Sequence, residues 1–425
     1  MRILIVVDCY YPSTKSSAKL VHDLGVELHR QGSEVFILTP SELVSESIST
    51  SMEDNLLVAR VKAGRMKGAN RALRALQEIS LSTNIWRRAK RFLRKNQCDL
   101  ILFYSPSIFF GPLVRKLKSL WGCPAYLILR DIFPEWAVDA GILRRGLIYR
   151  FFRRMETYQY ETADLIAVQS PSNLEYFGRA FPRKRFPLTV LYNWTLLNEG
   201  DLPHTKWRGR LGLENKFVFV YGGNIGVAQD MDNLLRLAVR LATRTNIHFL
   251  LVGSGSEVPR LNKSIAGSGL RNIQVLPAMS QNEYLSMISE FDVGLISLDA
   301  RLKTHNIPGK LLSYLYWGLP VLASVNPGND LFDLLERRRA GFCVANGDDE
   351  SLVTAAHRLA DHPELRSAMG KNARQLLEDT FSVKVAAGQI LAHLRDAALV
   401  RPGGRVLLPG LSSQQGRQTD FVRQS

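Results

Sequence analysis

The stretch FVFVYGGNIGVAQDMDNLL, residues 217–235, decides the fold. A continuous apolar run leads into a glycine-rich loop and then into the apolar spacing of an amphipathic helix. A strand that is apolar on both faces is typical of a parallel sheet buried between helices. Gly222, Gly223 and Gly226 allow backbone amides to approach an anion, and a helix that begins near Asp230 adds its positive dipole end. The same glycines would also serve a tight turn between a strand and a helix.

Two further loops of the second half have the same character. The stretch LVGSGSE places Gly253 and Gly255 between an apolar run and a helix, which supports the first loop although such a pair is weak evidence alone. In IPGK, Pro308 suits the first turn of a helix, and Gly309 and Lys310 then place amides beside an ammonium group. This arrangement predicts a diphosphate site, with a surface charge at Lys310 as the structural alternative.

The alternation of apolar runs and helical spacing extends through most of the chain. In the first half the predicted strands are 2–8, 34–39, 99–104, 125–129, 164–169 and 188–192. In the second half they are 217–221, 247–252, 272–277, 291–297 and 320–324. Helical spacing alone continues from about 350 to 398. This pattern predicts an α/β protein with two doubly wound, Rossmann-like domains.

A polar stretch rich in turn residues, 196–216, interrupts the alternation and predicts an interdomain linker. The predicted units are therefore an N-terminal domain at 1–195, the linker at 196–216, a C-terminal domain at 217–380, a helix at 381–400 that returns to the N-terminal domain, and a flexible tail at 401–425.

Composition excludes several classes of protein. The chain has 425 residues, of which 46% are hydrophobic and 22% charged, so it is globular rather than disordered. Its four cysteines are widely spaced and form no C-x-x-C pair, which argues against a disulfide framework or a zinc site and favours a reducing compartment. The first apolar run is typical of a strand, and no later run reaches the roughly 20 residues of a membrane-spanning helix.

Positive charge is the first sign of a partner. The 55 Lys and Arg residues outnumber the 39 Asp and Glu residues by 16, and residues 60–95 hold twelve basic residues against one acid. Residues 109–121 and 141–155 mix apolar side chains with Arg and Lys, as interfacial helices do. A nucleic acid or an anionic membrane would bind such a surface. Helices packed on the sheet with a solvated basic face are an equally simple alternative.

The second half resembles the donor domain of family 4 glycosyltransferases, which are retaining enzymes of the GT-B fold. The resemblance is carried, in order, by YGGNIGVAQDMDNLL, LVGSGSE, FDVGLISL, IPGKLLSYLYWGLPVLAS and AGFCVANGD. The first half is similar more weakly, through YYPSTKSSAK, HRQGSEVFILT, LRDIFPEW and VLYNW. The resemblance spans about residues 1–395 and is greatest to bacterial O-antigen and capsule enzymes, among them fucosamine transferases. It implies two Rossmann-like domains that face a central cleft.

The resemblance also implies an activity. A sugar, such as an N-acetylated amino sugar of the FucNAc type, would pass with retention from a nucleotide-diphosphate donor, UDP-linked, to a lipid-linked or saccharide acceptor. The setting would be synthesis of a bacterial surface polysaccharide: O-antigen of lipopolysaccharide, capsule or exopolysaccharide. The C-terminal domain would hold the donor and the N-terminal domain the acceptor, with no metal ion or other cofactor. A polyprenyl-diphosphate-linked acceptor implies a cytoplasmic protein, peripheral on the inner face of the cytoplasmic membrane.

The chain departs from the family pattern where charge is expected. Asn224 and Gln229 occupy the positions of the common Arg and Lys of the first donor loop, and they donate hydrogen bonds without charge. Arg130 occupies the position of a common His before Asp131. Lys310 and Arg130 are therefore expected to supply the positive charge that stabilises the leaving diphosphate.

Further departures concern the acids and the first N-terminal loop. His305 and Ser313 replace the family's paired glutamates, no acid occurs in 301–320, and Ser313 is a weaker candidate for ribose recognition. Ser16 and Ser17 replace a common Gly-Gly. These departures also leave room for an inactive relative.

Together the residues and the resemblance give three sets of candidates. The catalytic candidates are Asp131, Arg130, Lys310 and His305. The donor-binding candidates are Ser17, Gly223, Asn224, Gln229, Gly253, Gly255, Ala278, Met279, Asn306, Pro308, Gly309, Lys310 and Ser313. The acceptor-binding candidates are Ser16, Asp131 and Glu135. No metal ligand is predicted.

Two of these assignments have plain structural alternatives. Asp131 and Glu135 flank Pro134 after a strand, where an acceptor hydroxyl could lie, but a helix cap and a surface acid would give the same pattern. Ala278 and Met279 follow a strand at the place where this family holds the nucleobase through backbone contacts, yet Met279 could belong to the core.

Two other functions fit parts of the sequence. Non-hydrolysing UDP-sugar 2-epimerases share the two-domain architecture, but they need acids and a His for proton abstraction, and the acid-free stretch 301–320 argues against them. A basic nucleic-acid- or membrane-binding protein without catalysis would explain the charge. Binding to single-stranded nucleic acid would require stacking aromatic residues on an exposed sheet, whereas these sheets are predicted to be buried.

Overall fold

The computed structural model describes residues 1–13, 15–64, 77–139, 141–197, 206–303 and 307–399. The candidates His305 and Asn306 lie outside the described residues, as do four of the basic residues in 60–95 and the predicted tail at 401–425.

The N-terminal domain is built on an eight-stranded sheet with the order β3-β4-β2-β1-β5-β6-β7-β8. All neighbouring strands are parallel except β3, which is antiparallel to β4. The strands are β1 Arg2–Val6, β2 Glu34–Ser41, β3 Ile48–Glu53, β4 Leu56–Lys62, β5 Leu100–Tyr104, β6 Ala125–Ile128, β7 Leu165–Val168 and β8 Leu188–Val190. Apolar runs do not predict β3, because this edge strand is largely solvent-facing and polar.

The C-terminal domain contains a six-stranded parallel sheet with the order β11-β10-β9-β12-β13-β14. Its strands are β9 Phe217–Asn224, β10 Ile247–Ser254, β11 Ile273–Leu276, β12 Val293–Ser297, β13 Val321–Val325 and β14 Gly341–Ala345. The first five match predicted runs closely, because most of their residues are apolar on both faces.

Helices cover both faces of the first sheet. They are α1 Ser16–Arg30, α2 Leu81–Lys95, α3 Gly111–Trp121, α4 Glu135–Asp139, α5 Leu147–Thr162 and α6 Pro171–Ala180. The apolar sides of α2 and α3 enter one core with the sheet, and α1 packs on the opposite face. Because α2, α3 and α5 are successive neighbours, they form one helical layer.

The second sheet is covered in the same way. Its helices are α7 Trp207–Arg210, α8 Met231–Arg240, α9 Val258–Ser268, α10 Gln281–Ile288, α11 Lys310–Tyr316, α12 Leu331–Arg338, α13 Asp349–Asp361 and α14 Pro363–Leu376. One turn of 3-10 helix lies at Val227–Gln229 and one of π-helix at Leu377–Phe381. Two largely parallel sheets, each sandwiched between helices, confirm the predicted α/β fold.

The last described helix, α15 Val383–Leu399, lies against α1 of the first domain. Val383, Ala387 and Ile390 are buried in the core that α1 shares with the first sheet. Within the predicted linker, the backbone amides of Trp207 and Arg208 donate to the Glu290 carboxylate, so this part packs on the second domain. Within the described ranges, no helix has both the length and the apolar composition needed to cross a bilayer.

Candidate donor and acceptor sites

The strand order of the second sheet reverses between β9 and β12. Loops that leave two such strands diverge to opposite faces, which opens a crevice at the carboxyl ends of the strands. Gly223 lies at the end of β9, and Lys310 begins α11 in the connection that follows β12. The chain therefore places two donor-binding candidates at the point where this fold makes room for a ligand.

Lys310 reaches across to the first donor loop. Its Nζ lies 3.4 Å from the centroid of the Tyr221 ring. A Cβ atom on Gly223 would lie 3.6 Å from Lys310 Cε, and Gly223 has a φ of +116°, which favours glycine. The glycine thus leaves its backbone open beside the ammonium group, and the structure brings these two candidates together.

The ammonium group of Lys310 has no carboxylate partner among the described residues. Burial lowers the pKa of Lys310 well below its ordinary value. An aromatic face attracts a cation but does not neutralise it. An anion bound here would favour the charged form of Lys310.

The uncharged pair of the first donor loop is joined internally. Asn224 Nδ2 donates to Gln229 Oε1 at 2.8 Å, and the Gly226 amide donates to the same oxygen at 3.2 Å. Asn224 is exposed at the crevice and Gln229 is half-buried. These contacts hold the loop in one shape and leave Lys310 as the cation beside it.

The second glycine loop has a packing explanation. A Cβ atom on Gly253 would lie 1.8 Å from the Gly223 carbonyl oxygen, and one on Gly255 would lie 2.1 Å from the Ile225 carbonyl oxygen. Gly253 and Gly255 are therefore required for close backbone contact between two neighbouring loops. This contact supports the shape of the first loop, whether or not either glycine touches a ligand.

Other donor candidates lie at the start of α11 and in the loop after β11. Pro308 and Gly309 precede α11, and Ser313 is half-buried one turn after Lys310 on that helix. Ala278 is exposed after β11. Met279 packs partly against the core of the second domain, as the structural alternative for it predicts.

A cavity of about 310 Å³ lies at the carboxyl ends of the first sheet. Asp131, which follows β6, lines this cavity together with Asp8, which follows β1. Since β1 is the strand at which the order of this sheet reverses, the cavity occupies the equivalent crevice of the N-terminal domain.

The charge of Asp8 affects the carboxyl group of Asp131. Burial raises the pKa of Asp131, and the charge of Asp8 raises it further. Burial also raises the pKa of Asp8, although Lys15 opposes the shift, and Asp8 Oδ1 is buried without a partner in the described structure. A proton is therefore held more readily here than on an ordinary surface carboxylate.

Sequence reasoning missed Asp8, although a signal was available. The residue ends the first apolar run, and carboxyl ends of central parallel strands are where ligands bind.

Comparison with known families covers both halves of the chain. Residues 17–194 match the family described as Glycosyl transferase 4-like domain. Residues 204–376 match the family described as Glycosyl transferases group 1. The chain belongs to these glycosyltransferase families. The family predicted from the sequence is confirmed.

Two relatives of this glycosyltransferase cover most of its length. WbjE of Pseudomonas aeruginosa, described as a probable glycosyltransferase, is 23% identical over 289 residues, which are 66% of this chain and 70% of WbjE. WcaI of Escherichia coli K12, assigned to colanic acid biosynthesis as a glycosyl transferase, is 23% identical over 310 residues, which are 71% of this chain and 75% of WcaI.

Solved structures share the fold. Sucrose-phosphate synthase from Thermosynechococcus elongatus has a TM-score of 0.69 at 18% identity and covers 94% of this chain and 100% of its own. HepE from Anabaena, solved in complex with UDP, has a TM-score of 0.64 at 16% identity and covers 93% and 100%. The GT-B fold predicted from the sequence is confirmed.

Arg130 of the glycosyltransferase is buried rather than presented to a ligand. Its Nη1 donates to the Leu191 carbonyl at 2.6 Å and its Nη2 to the Tyr192 carbonyl at 3.3 Å, while its guanidinium lies 5.0 Å from the Trp194 ring centroid. In this structure the side chain joins the loop after β6 to the segment after β8. The expectation that Arg130 is free to stabilise the diphosphate does not agree with these contacts.

Glu135 also serves the protein's own structure. Its carboxylate accepts hydrogen bonds from Arg145 Nη2 and, at 2.9 Å, from Tyr149 Oη. Both partners lie at or near the start of α5, so Glu135 holds α4 against it. The residue does not line the cavity that contains Asp131.

The two serines of the first N-terminal loop open α1. Ser16 is exposed, and Ser17 Oγ lies 3.2 Å from Cys9 Sγ.

An acidic pair lies near a strand end of the second sheet. Asp230 and Asp232 form a D-x-D pair after β9. Asp230 Oδ2 accepts from Asn346 Nδ2 at 2.9 Å, whereas Asp232 Oδ1 pairs with Arg260 Nη1 at 2.8 Å. Across the described ranges, no group of three or more His, Cys, Asp or Glu side chains is placed to share a metal ion.

Proposed function

We propose that this glycosyltransferase moves a sugar, with retention, from a UDP-linked donor to a lipid-linked or saccharide acceptor in the synthesis of a bacterial surface polysaccharide. The observation that carries the proposal is the approach of Lys310 to the open backbone of Gly223 at the crevice of the second sheet. The equivalent crevice of the first sheet holds Asp8 and Asp131. The crevice with Lys310 suits an anionic leaving group, and the crevice with the two carboxyl groups suits a hydroxyl nucleophile.

The donor half of the reaction needs charge stabilisation. The bond between the anomeric carbon and the diphosphate oxygen breaks, and the nucleoside diphosphate departs with the electron pair. Lys310 then offsets the developing charge in a site where a preorganised cation needs no reorganisation. Asn224 adds an amide donor from the neighbouring loop without adding charge.

The acceptor half of the reaction needs positioning. The acceptor oxygen forms the new bond to the anomeric carbon and gives up its proton. Asp131, which lines the cavity beside Asp8, is the group we assign to orient that hydroxyl and to hold its proton.

The chemical class of the substrates rests on similarity. HepE was solved with UDP, and WcaI is assigned to colanic acid biosynthesis. These proteins support a UDP-linked donor and a polysaccharide product for the chain described here. Transfer of an N-acetylated amino sugar of the FucNAc type stays a prediction.

We propose that no divalent metal takes part. Lys310, the loop amides and Asn224 supply cationic and hydrogen-bonding stabilisation, while the D-x-D carboxylates are bound to Asn346 and Arg260. Incubation with EDTA should therefore leave the initial rate unchanged. Activity that is lost in EDTA and restored by Mg²⁺ or Mn²⁺ would contradict this part of the proposal.

We also propose a cytoplasmic location on the inner membrane face, with the N-terminal domain against the lipid. Four arginines of α2 are exposed: Arg87, Arg88, Arg91 and Arg94. Each basic residue near an anionic surface contributes roughly 1 kcal/mol, and salt screens the attraction. Binding to anionic vesicles should fall from low to high salt, and the four Arg→Glu changes should reduce it. A matched control reverses four exposed basic residues of the second domain: Lys263, Arg271, Arg337 and Lys371.

A donor panel tests the central proposal. The purified chain would be incubated with UDP-, dTDP- and GDP-sugars, and release of the nucleoside diphosphate would be followed with and without sugar acceptors. We expect release from a UDP-sugar, stimulated by the correct acceptor, with retained configuration in the product. Nucleotide binding without turnover of any donor would indicate the inactive relative. A change of configuration at C2 without transfer would indicate the epimerase alternative.

A further inference from the structure

Exposed apolar side chains are concentrated at one corner of the N-terminal domain. Twelve large hydrophobic residues are exposed within the described ranges, and five of them lie between positions 136 and 151. We call these five the apolar corner: Trp136, Ile142, Leu147, Ile148 and Phe151. Soluble surfaces carry single exposed hydrophobic residues, whereas a cluster marks an interaction site.

The corner is held in place by the fold. The Leu143 amide donates to the Ala137 carbonyl at 2.9 Å, which closes the turn after α4. Glu135 then binds Arg145 and Tyr149, which fixes the start of α5 against α4. The corner is therefore displayed by an ordered scaffold, and its exposure is not that of a loose chain end.

The corner continues into the acceptor cavity through aromatic contacts. Trp136 and Phe133 line the cavity, with their ring centroids 6.0 Å apart. Phe133 lies 5.0 Å from Phe152, which lies 5.5 Å from Phe151 of the corner. An apolar path thus leads from the cavity that holds Asp131 to the outer surface.

The surroundings of the corner indicate which kind of partner covers it. Residues 141–155 contain five arginines and no acid. Arg144, Arg150 and Arg154 are exposed, and the last two line an open groove of about 500 Å³ on α5. Apolar side chains ringed by arginine complement a bilayer with anionic headgroups.

We propose that the apolar corner inserts into an anionic bilayer and that the lipid portion of the acceptor passes along it into the cavity. This inference rests on the lipid-linked acceptor proposed above and names the surface that meets the lipid. Insertion would place the cavity mouth at the membrane, so the sugar of the acceptor could reach Asp131 while its lipid chain stays among apolar groups.

A charge-neutral pair of substitutions tests insertion. Leu147→Ser with Ile148→Ser removes two corner residues that are 82% and 63% exposed and leaves every charge in place. The matched control is Leu43→Ser with Met52→Ser, which are 75% and 66% exposed beside β3, at the edge of the sheet opposite the corner's side. The full chain would be sedimented with vesicles of phosphatidylglycerol and phosphatidylcholine at low salt.

We expect the corner pair to weaken vesicle binding about tenfold or more, since each buried large aliphatic side chain contributes at least that factor. The control pair should bind as wild type does. Equal binding by the corner pair and wild type would overturn the proposal. So would light scattering showing that wild type forms a dimer that the corner pair does not form.

Fluorescence gives an independent measurement of contact with the acyl chains. Lipids brominated in their acyl chains quench tryptophan on contact, and Trp136 is the corner's only tryptophan among the six in the chain. Quenching in wild type that disappears in Trp136→Phe supports insertion. Quenching that is absent in wild type, or unchanged in Trp136→Phe, contradicts it.

The donor panel separates this inference from the proposed function. Turnover of a UDP-sugar in solution needs no bilayer. If the wild-type protein turns over a donor normally but does not bind vesicles, the proposal that the apolar corner inserts into a bilayer is wrong, while the transferase proposal stands. Vesicle insertion by a chain that turns over no donor would overturn the transferase proposal, and with it the passage of the acceptor's lipid along the corner.

Discussion

The two sheets of the molecule place opposite charges at equivalent points. At the reversal of strand order in the second sheet, Gly223 meets the ammonium group of Lys310. At the reversal in the first sheet, Asp8 and Asp131 line a cavity. Topology explains where both sites lie, because loops diverge there in either domain. Residue type then decides which substrate each crevice can take, so substitutions in the two crevices should have different effects.

The largest effect is expected from removal of the cation. Lys310→Ala should lower turnover by about 10²-fold or more, on the scale of losing a preorganised charge donor. The measurement is steady-state kinetics with a saturating donor on a variant whose unfolding temperature matches wild type. Lys371→Ala, an exposed lysine on α14, is the control. Near-normal rates for the Lys310 variant would reject its assignment.

On the acidic side, Asp131→Asn should reduce transfer by roughly ten- to a hundredfold, as expected for a group that orients a hydroxyl and holds its proton. Hydrolysis of the donor without acceptor should change much less, because Asp131 lines the cavity that we propose holds the acceptor. Asp139→Asn on α4 removes an exposed carboxylate as the control. Equal losses in transfer and hydrolysis would place Asp131 outside the acceptor half.

A smaller effect should appear in the pH profile of Asp8→Asn. Burial and the charge of Asp8 both raise the pKa of Asp131, so the ionised form is lost at a higher pH than for an ordinary Asp. Activity that needs this carboxylate ionised falls as pH drops through that raised pKa. Removing the Asp8 charge should move the acidic limb of the rate profile to lower pH. If the acidic limb lies at the same pH in Asp8→Asn and in wild type, the charge of Asp8 does not affect the pKa of Asp131.

The smallest expected effect is the uptake of a fraction of a proton for each molecule of UDP that binds. Burial lowers the pKa of Lys310, and a bound diphosphate would raise it again, so UDP binding at mildly alkaline pH should take up protons. Calorimetry in two buffers of different ionisation enthalpy measures this uptake. It should be absent in Lys310→Ala. Proton release by the wild-type protein on UDP binding would contradict this prediction.

Much of the donor site could be predicted from the sequence. Gly223 and Asn224 end β9, and Lys310 begins the helix in the connection that follows β12. The carboxyl ends of parallel strands meet at one edge of the sheet, so these residues are expected to lie close together. The contact between Gly253 and the backbone of Gly223 could not be predicted, since it depends on how two loops pack.

The acceptor side was harder to predict. Arg130 and Glu135 are polar residues after a strand, as ligand-binding groups often are, but both are bound to partners within the domain. The Leu191 carbonyl that Arg130 contacts lies 61 residues further along the chain, and the Tyr149 hydroxyl that Glu135 contacts lies 14 residues further along. Helix and loop packing brings them together, so local sequence spacing does not indicate either contact. Asp8 was overlooked because it has no motif around it, and only the cavity connects it to Asp131.

The sequence alone determined the α/β architecture, the family and the glycine-rich turns after the strands, because apolar alternation and glycine-rich turns are local properties. It could not separate residues 109–121 from 141–155, which share one pattern of apolar and basic residues. Tertiary structure decided between them. The apolar side of α3 is buried against the sheet, including Leu113 and Leu117, whereas Leu147 and Ile148 meet no core and face solvent. The physical reason is that burial depends on which surface lies opposite a helix, and that surface comes from residues distant in the chain.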